Sequence, residues 1–119
     1  DWRSSEEISQ YLKMGSVIVL PYLAYENTCL TLVECMCRGC CVIGTMRGFI
    51  AELITHDYNG ILVEQPTAEN FRKAIDSVLA KPERITAYGK RAIETVATLS
   101  DLQSHAIQIL KHYETVLSA

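Results

Sequence analysis

The chain has 119 residues, close to the commonest domain size, and surface scaling lets about two-thirds of its extended area be buried on folding. At 49% hydrophobic and 21% charged residues it is neither disordered, collagen-like nor a coiled coil. A net charge of −3 argues against nucleic acid as the main partner, and apolar runs such as Val17–Leu20 fall far short of the roughly 20 residues that span a bilayer. Nothing resembles a signal peptide, so a cytoplasmic location, at most peripheral to a membrane, is expected.

Ser4-x-x-Glu7 reads as a capping box opening a short amphipathic helix over 5–13, with Ile8, Tyr11 and Leu12 at helical spacing. Val17–Leu20 is apolar throughout and stopped by Pro21, as suits a strand buried on both faces. A loop over 21–27 leads into a helix over 28–38 that Gly39 ends. The rhythm repeats: strand at 41–44, helix at 48–55 with Phe49, Ile50, Leu53 and Ile54 on one side, and a turn at Tyr58-Asn59-Gly60. A third strand follows at Ile61–Val63. Thr67 caps a helix with Phe71, Ala74, Ile75, Val78 and Leu79 inward. Pro82 starts a helix carrying Ile85, Tyr88, Ala92 and Val96. Ser100-x-x-Gln103 opens a last helix with Leu102, Ala106, Ile109, Leu110, Tyr113 and Leu117 inward.

Strands alternating with helices specify an α/β fold, here a partial doubly wound, Rossmann-like parallel sheet of about three strands with flanking helices. Three strands are few for such a sheet. Either Val17–Leu20 is a bare edge or it pairs with strands outside these residues. The chain opens Asp1-Trp2-Arg3 without a Met, so residues 1–119 are expected to be one part of a longer polypeptide. An uncovered Val17–Leu20 edge is expected to drive self-association.

Five cysteines (Cys29, Cys35, Cys37, Cys40 and Cys41) crowd into thirteen residues. An odd, clustered count is poor material for disulfides, and in a helix Cys35 and Cys37 lie about 200° apart, unable to grip one ion. Packing in place of small core residues is the preferred reading, with a thiol metal or redox module as a third alternative. His105 and His112, seven residues apart, are about 10 Å apart along a helix and too distant to share a metal. His56, at a helix carboxyl end, reads as favouring the dipole. No metal site is expected.

Ligands of parallel α/β sheets bind beyond the carboxyl ends of the strands, which here lead into 21–27, 45–48 and 64–66. Glu26 and Glu34 stand out there. Glu34 sits among Leu30, Leu32, Val33, Cys35, Met36 and Cys37, where a carboxylate is costly unless partnered. Eight residues span about 12 Å of helix, so Glu26 would precede the amino end and Glu34 lie two turns in. The amides of Asn27, Thr28 and Cys29, with the helix dipole, form an anion site between them. A ligand with a central phosphate and hydroxyls at both ends fits, as nucleotide-sugars do. The alternative reading is a Glu34 bonded to neighbouring backbone or a basic side chain, and a solvated Glu26.

Leu20-Pro21-x4-Glu26-x7-Glu34-x4-Gly39-x2-Val42-Ile43, followed by Gly48-x3-Glu52-Leu53-Ile54 and Asn59-Gly60-Ile61-Leu62-Val63, resembles the carboxyl-terminal donor-binding domain of retaining GT-B glycosyltransferases of the glycosyl transferases group 1 family. The resemblance implies that Glu34 binds the donor's ribose hydroxyls and that Glu26, the catalytic candidate, lies close to the transferred sugar. The amides of Asn27, Thr28 and Cys29 would approach the diphosphate and sugar. It further implies transfer of a hexose from a UDP- or GDP-sugar to an unknown acceptor without a cofactor. The remaining partner would be the amino-terminal part of the same enzyme, and residues 1–119 alone would be catalytically silent. Where the family has Gly-Phe-Gly after the first glutamate this chain has Asn27-Thr28-Cys29, and two family alanines are Cys35 and Cys37. The alternative from another class is a non-catalytic α/β interaction or regulatory module that retains a nucleotide-binding shape.

Overall fold

A computed structural model describes residues 3–99 and 102–118. Its elements run α1 (Ser5–Tyr11), β1 (Val17–Leu20), α2 (Leu30–Cys37), β2 (Cys41–Thr45), α3 (Gly48–Leu53), β3 (Ile61–Val63), α4 (Ala68–Leu79), α5 (Pro82–Ala97) and α6 (Leu102–Leu117). The strands form one parallel sheet in the order β1-β2-β3, with Val17 opposite Cys41 and Ile43 opposite Ile61.

Strand residues alternate between two cores, because successive side chains leave a strand on opposite faces. Ile18, Leu20, Val42 and Leu62 face a core built from Leu32, Cys35 and Met36 of α2 and Ile50 and Leu53 of α3. Cys41, Ile43, Ile61 and Val63 face the other, closed by Phe71 and Val78 of α4 and by Tyr88. Helix α5 serves both, with Ala92 and Val96 in the first core and Ile85 and Tyr88 in the second. A sheet wound with helices on both faces is the predicted class.

Local signals explain the boundaries. The Ser4 side chain accepts from the Glu7 amide and the Glu7 carboxylate from that of Ser4, the capping box read from the sequence. Helix α2 ends in a Schellman turn: Gly39 has φ +71°, its amide donates to the Met36 carbonyl, and the Cys40 amide donates to that of Cys35. Helix α5 crosses this turn at Gly89, where a Cβ would stand 2.0 Å from the Gly39 carbonyl oxygen. The turn before β3 is held by Asn59, buried, whose amide group donates to the Leu53 carbonyl and to Thr95 Oγ1 and whose oxygen accepts from the Thr55 amide.

The two edges of the sheet differ. On β3, His56 Nδ1 accepts from the Leu62 amide at 3.0 Å and the Asp57 amide donates to the Gly60 carbonyl, so the chain entering β3 occupies groups a further strand would use. His56 thus braces a strand, in place of the dipole role read from the sequence. On β1 no described strand lies outside the edge.

Three inward assignments are corrected. In α1 only the capping Leu12 is buried, while Ile8 and Tyr11 are exposed. Leu79, the last residue of α4, is exposed, about 100° round the helix from buried Val78. In α6 the described side chains, Ala106, Ile109, Leu110, Tyr113 and Leu117 among them, are exposed and enter neither core. An apolar stripe marks a face suited to a partner, and no described element covers this one. Ser100 and the side chain of Leu102 lie outside the described residues.

Candidate functional site

The loop after β1 (21–29), the Met46-Arg47 link after β2 and the loop after β3 (64–67) stand at the carboxyl ends of the strands. The first two are fastened together. The Phe49 amide donates to the Glu26 carbonyl at 3.1 Å, and Gly48, with φ +49°, lies so close that a Cβ there would be 2.8 Å from the Glu26 oxygen. Only glycine tolerates both that conformation and that approach. The Glu26 backbone is therefore seated on the amino end of α3, and its side chain is half-buried with no hydrogen bond or ion pair among the described residues.

Helix α2 begins two residues later than predicted, with Cys29 as its buried N-cap and no side chain capping it. The first intrahelical bond runs from the Val33 amide to the Cys29 carbonyl, so the open amides of the first turn belong to Leu30, Thr31 and Leu32. Asn27, Thr28 and Cys29 are the chain leading into that turn, with Asn27 and Thr28 exposed.

Glu34 requires the main correction. Its carboxylate is not enclosed by its apolar sequence neighbours: the side chain is 50% exposed and Oε1 accepts from Arg38 at 3.2 Å. Arg38 also donates to Ser9 Oγ at 3.0 Å, which ties the pair to α1. Leu32, Cys35 and Met36 form the buried stripe of α2. Glu34 lies about 200° round the helix from both Leu32 and Met36, and so faces away from the core. An exposed pair of this kind contributes roughly 0–1 kcal/mol. The carboxylate is free of burial cost, and its second oxygen has no partner among the described residues.

Four of the five cysteines are core residues. Cys29, Cys35, Cys40 and Cys41 are buried and Cys37 is exposed, all as free thiols. Burial, reinforced by the neighbouring Cys40 sulfur, pushes the Cys35 thiol up to about 12 and that of Cys41 up to about 11. Buried neutral thiols of this kind are unreactive. Among the described residues no three histidine, cysteine or acidic side chains are grouped to hold a metal, and His105 and His112 are both exposed. No described helix is long and apolar enough to cross a membrane.

Sequence reasoning overlooked Arg47. Its Nη1 donates to the Leu23 carbonyl and its guanidinium lies 5.9 Å from the centre of the Tyr25 ring, so the cation rests on the loop that carries Glu26. It is the only basic residue in the three strand-end loops, a signal already present in the sequence. A cavity of about 470 Å³ lies elsewhere, along β3 and α4 between His56, Leu62, Lys73 and Arg84, and contains none of the predicted site residues.

The family model for glycosyl transferases group 1 matches residues 2–95. Similar solved structures include the sucrose-phosphate synthase of Thermosynechococcus elongatus, 28% identical with a TM-score of 0.74 over 86% of this chain and 25% of that one. A glycosyltransferase from Rickettsia africae is 26% identical, with a TM-score of 0.76 over 97% of this chain and 31% of that one. Anabaena Alr3699/HepE, solved in complex with UDP, shares the fold at 19% identity, with a TM-score of 0.75 over 86% of this chain and 29% of that one. The chain thus spans about a quarter to a third of these structures' length. No curated protein sequence matches significantly. The parallel sheet, the Glu26–Glu34 spacing and a family match across most of the residues agree: the chain belongs to the glycosyl transferases group 1 family.

Proposed function

We propose that residues 1–119 are the second half of the donor-binding domain of a retaining glycosyltransferase that moves a hexose from a UDP- or GDP-sugar to an acceptor. The observation that carries this reading is the family match over residues 2–95, which takes in Glu26 in the loop before α2 and Glu34 within that helix, after the edge strand β1. In a doubly wound sheet of order 3-2-1-4-5-6, three sequential parallel neighbours correspond to strands 4, 5 and 6, and the ligand crevice lies where strand 4 meets strand 1. That crevice would open beside β1, at the 21–29 loop. The Anabaena neighbour, which was also solved with UDP-glucose, lends support at the level of the fold.

In this reading the free oxygen of Glu34 accepts from the ribose hydroxyls, the α2 amides face the diphosphate, and Glu26 accepts from hydroxyls of the transferred sugar. The bond from the anomeric carbon to the diphosphate oxygen breaks, a bond to the acceptor oxygen forms, and the acceptor's hydroxyl proton passes to the departing diphosphate, which leaves as UDP or GDP. The helix dipole stabilises the departing diphosphate, and no cofactor is needed. Calorimetry of the full-length protein with UDP-glucose and GDP-mannose tests the proposal. Binding of one of them, weakened roughly tenfold or more by Glu34→Ala, is expected. Absence of binding by either would favour the non-catalytic α/β module instead.

A further inference from the structure

We infer that Arg47 is a donor-binding residue, the cation that meets the negative charge of the nucleoside diphosphate; this rests on the donor-binding reading above. Three observations lead to it. Arg47 is the sole basic side chain in the loops at the strand carboxyl ends. Among the described residues it has no carboxylate partner, although Arg3, Arg38, Arg72 and Arg84 each pair with one. It is also held in place, by the Leu23 carbonyl and by the face of Tyr25.

A guanidinium has five N–H donors in a rigid fork, and the Leu23 carbonyl takes one. Unpaired charge at a protein surface is ordinary. Arg91 is likewise half-buried, bonded to a backbone carbonyl and set over Tyr58 with no carboxylate among the described residues, so what distinguishes Arg47 is its place at the carboxyl ends of the strands. Gly48, next to Arg47 in the chain, sits against the Glu26 backbone and so joins the loop of Arg47 to that of Glu26. The two charges divide the ligand. Glu26 suits hydroxyl groups and repels phosphate, whereas Arg47 suits the phosphate oxygens and, being half-buried, is less screened than a surface lysine.

The test compares UDP with uridine, and GDP with guanosine, on the full-length protein by ligand-observed NMR titration. Arg47→Ala is expected to weaken the diphosphate roughly ten- to a hundredfold while leaving the nucleoside unchanged. Arg47→Lys, which keeps the charge and loses the fork, is expected to fall between. Unaltered diphosphate affinity in Arg47→Ala overturns the inference. So does an equal loss of diphosphate and nucleoside, which marks a structural role for the Leu23 contact. A wild-type protein that binds neither diphosphate defeats the donor-binding reading itself. Weakening by Glu34→Ala without any effect of Arg47→Ala defeats the assignment of Arg47 alone.

Discussion

At the scale of single residues, burial decides what the chemistry-bearing side chains can do. Cys37 alone among the five cysteines is exposed, so one equivalent of a thiol reagent is expected to react with the native chain at neutral pH and five after unfolding. More than one native equivalent would show that the cores open readily. The raised thiols also set an alkaline limit. From an ordinary value of 9.0, Cys35 rises to about 12 and Cys41 to about 11, so unfolded thiols ionise where the folded ones stay protonated. The unfolded state then binds fewer protons, so stability is whole below about pH 9 and falls as the pH climbs towards the folded values. Tyr88, raised by burial and by its hydrogen bond to Asp57, acts in the same direction. Urea midpoints that stay level between about pH 8 and about pH 10.5 would contradict this. Thr45 at the end of β2 is buried and its hydroxyl has no partner among the described residues, so Thr45→Val is expected to raise stability by about 1 kcal/mol. A loss on thermal melting would mean the hydroxyl is satisfied in solution.

Between elements, close backbone approaches fix the geometry more firmly than the side-chain pairs do. Gly89→Ala would drive a methyl into the Gly39 carbonyl and separate α5 from the end of α2, at a cost of about 3 kcal/mol or more. A melting temperature within a degree or two of wild type would show that the crossing adapts. Much of this layer is legible in the residues. Runs such as Val17–Leu20 and Ile61–Val63, the Ser4 box, the Thr67 cap and Gly39 have local causes, and those strands and helix ends lie where their signals stand, while the bounds of α1, α2 and α3 differ from the expected ones by up to two residues. The environment of Glu34 is not legible by counting neighbours along the chain. Its apolar neighbours in sequence are spread around α2, and what matters is its angle from the Leu32–Cys35–Met36 stripe. The apolar stripes of α1 and α6 mislead for another reason, since periodicity reports a face fit for burial and says nothing of what buries it. Arg47 escapes notice because its meaning depends on Leu23 and Tyr25, more than twenty residues earlier in the chain.

For the whole molecule, the asymmetry of the sheet is the governing fact. The β3 edge is blocked by His56 and Asp57, while no described strand pairs with the outer edge of β1. Residues 1–119 in isolation are therefore expected to self-associate through Val17–Leu20 and to show no glycosyl transfer. Light scattering that stays monomeric at high concentration would contradict the first expectation, and turnover of a nucleotide-sugar the second. The same edge is where the proposed donor crevice opens, which makes Glu34 and its grip on ribose the central claim. The direct measurement is a cycle of four affinities in the full-length protein: UDP and 2′,3′-dideoxy-UDP, each with wild type and with Glu34→Ala, repeated with the guanosine pair. Wild type is expected to prefer the ribose form about tenfold or more, and Glu34→Ala to abolish the preference. A preference that survives the substitution would place the ribose elsewhere and contradict the account.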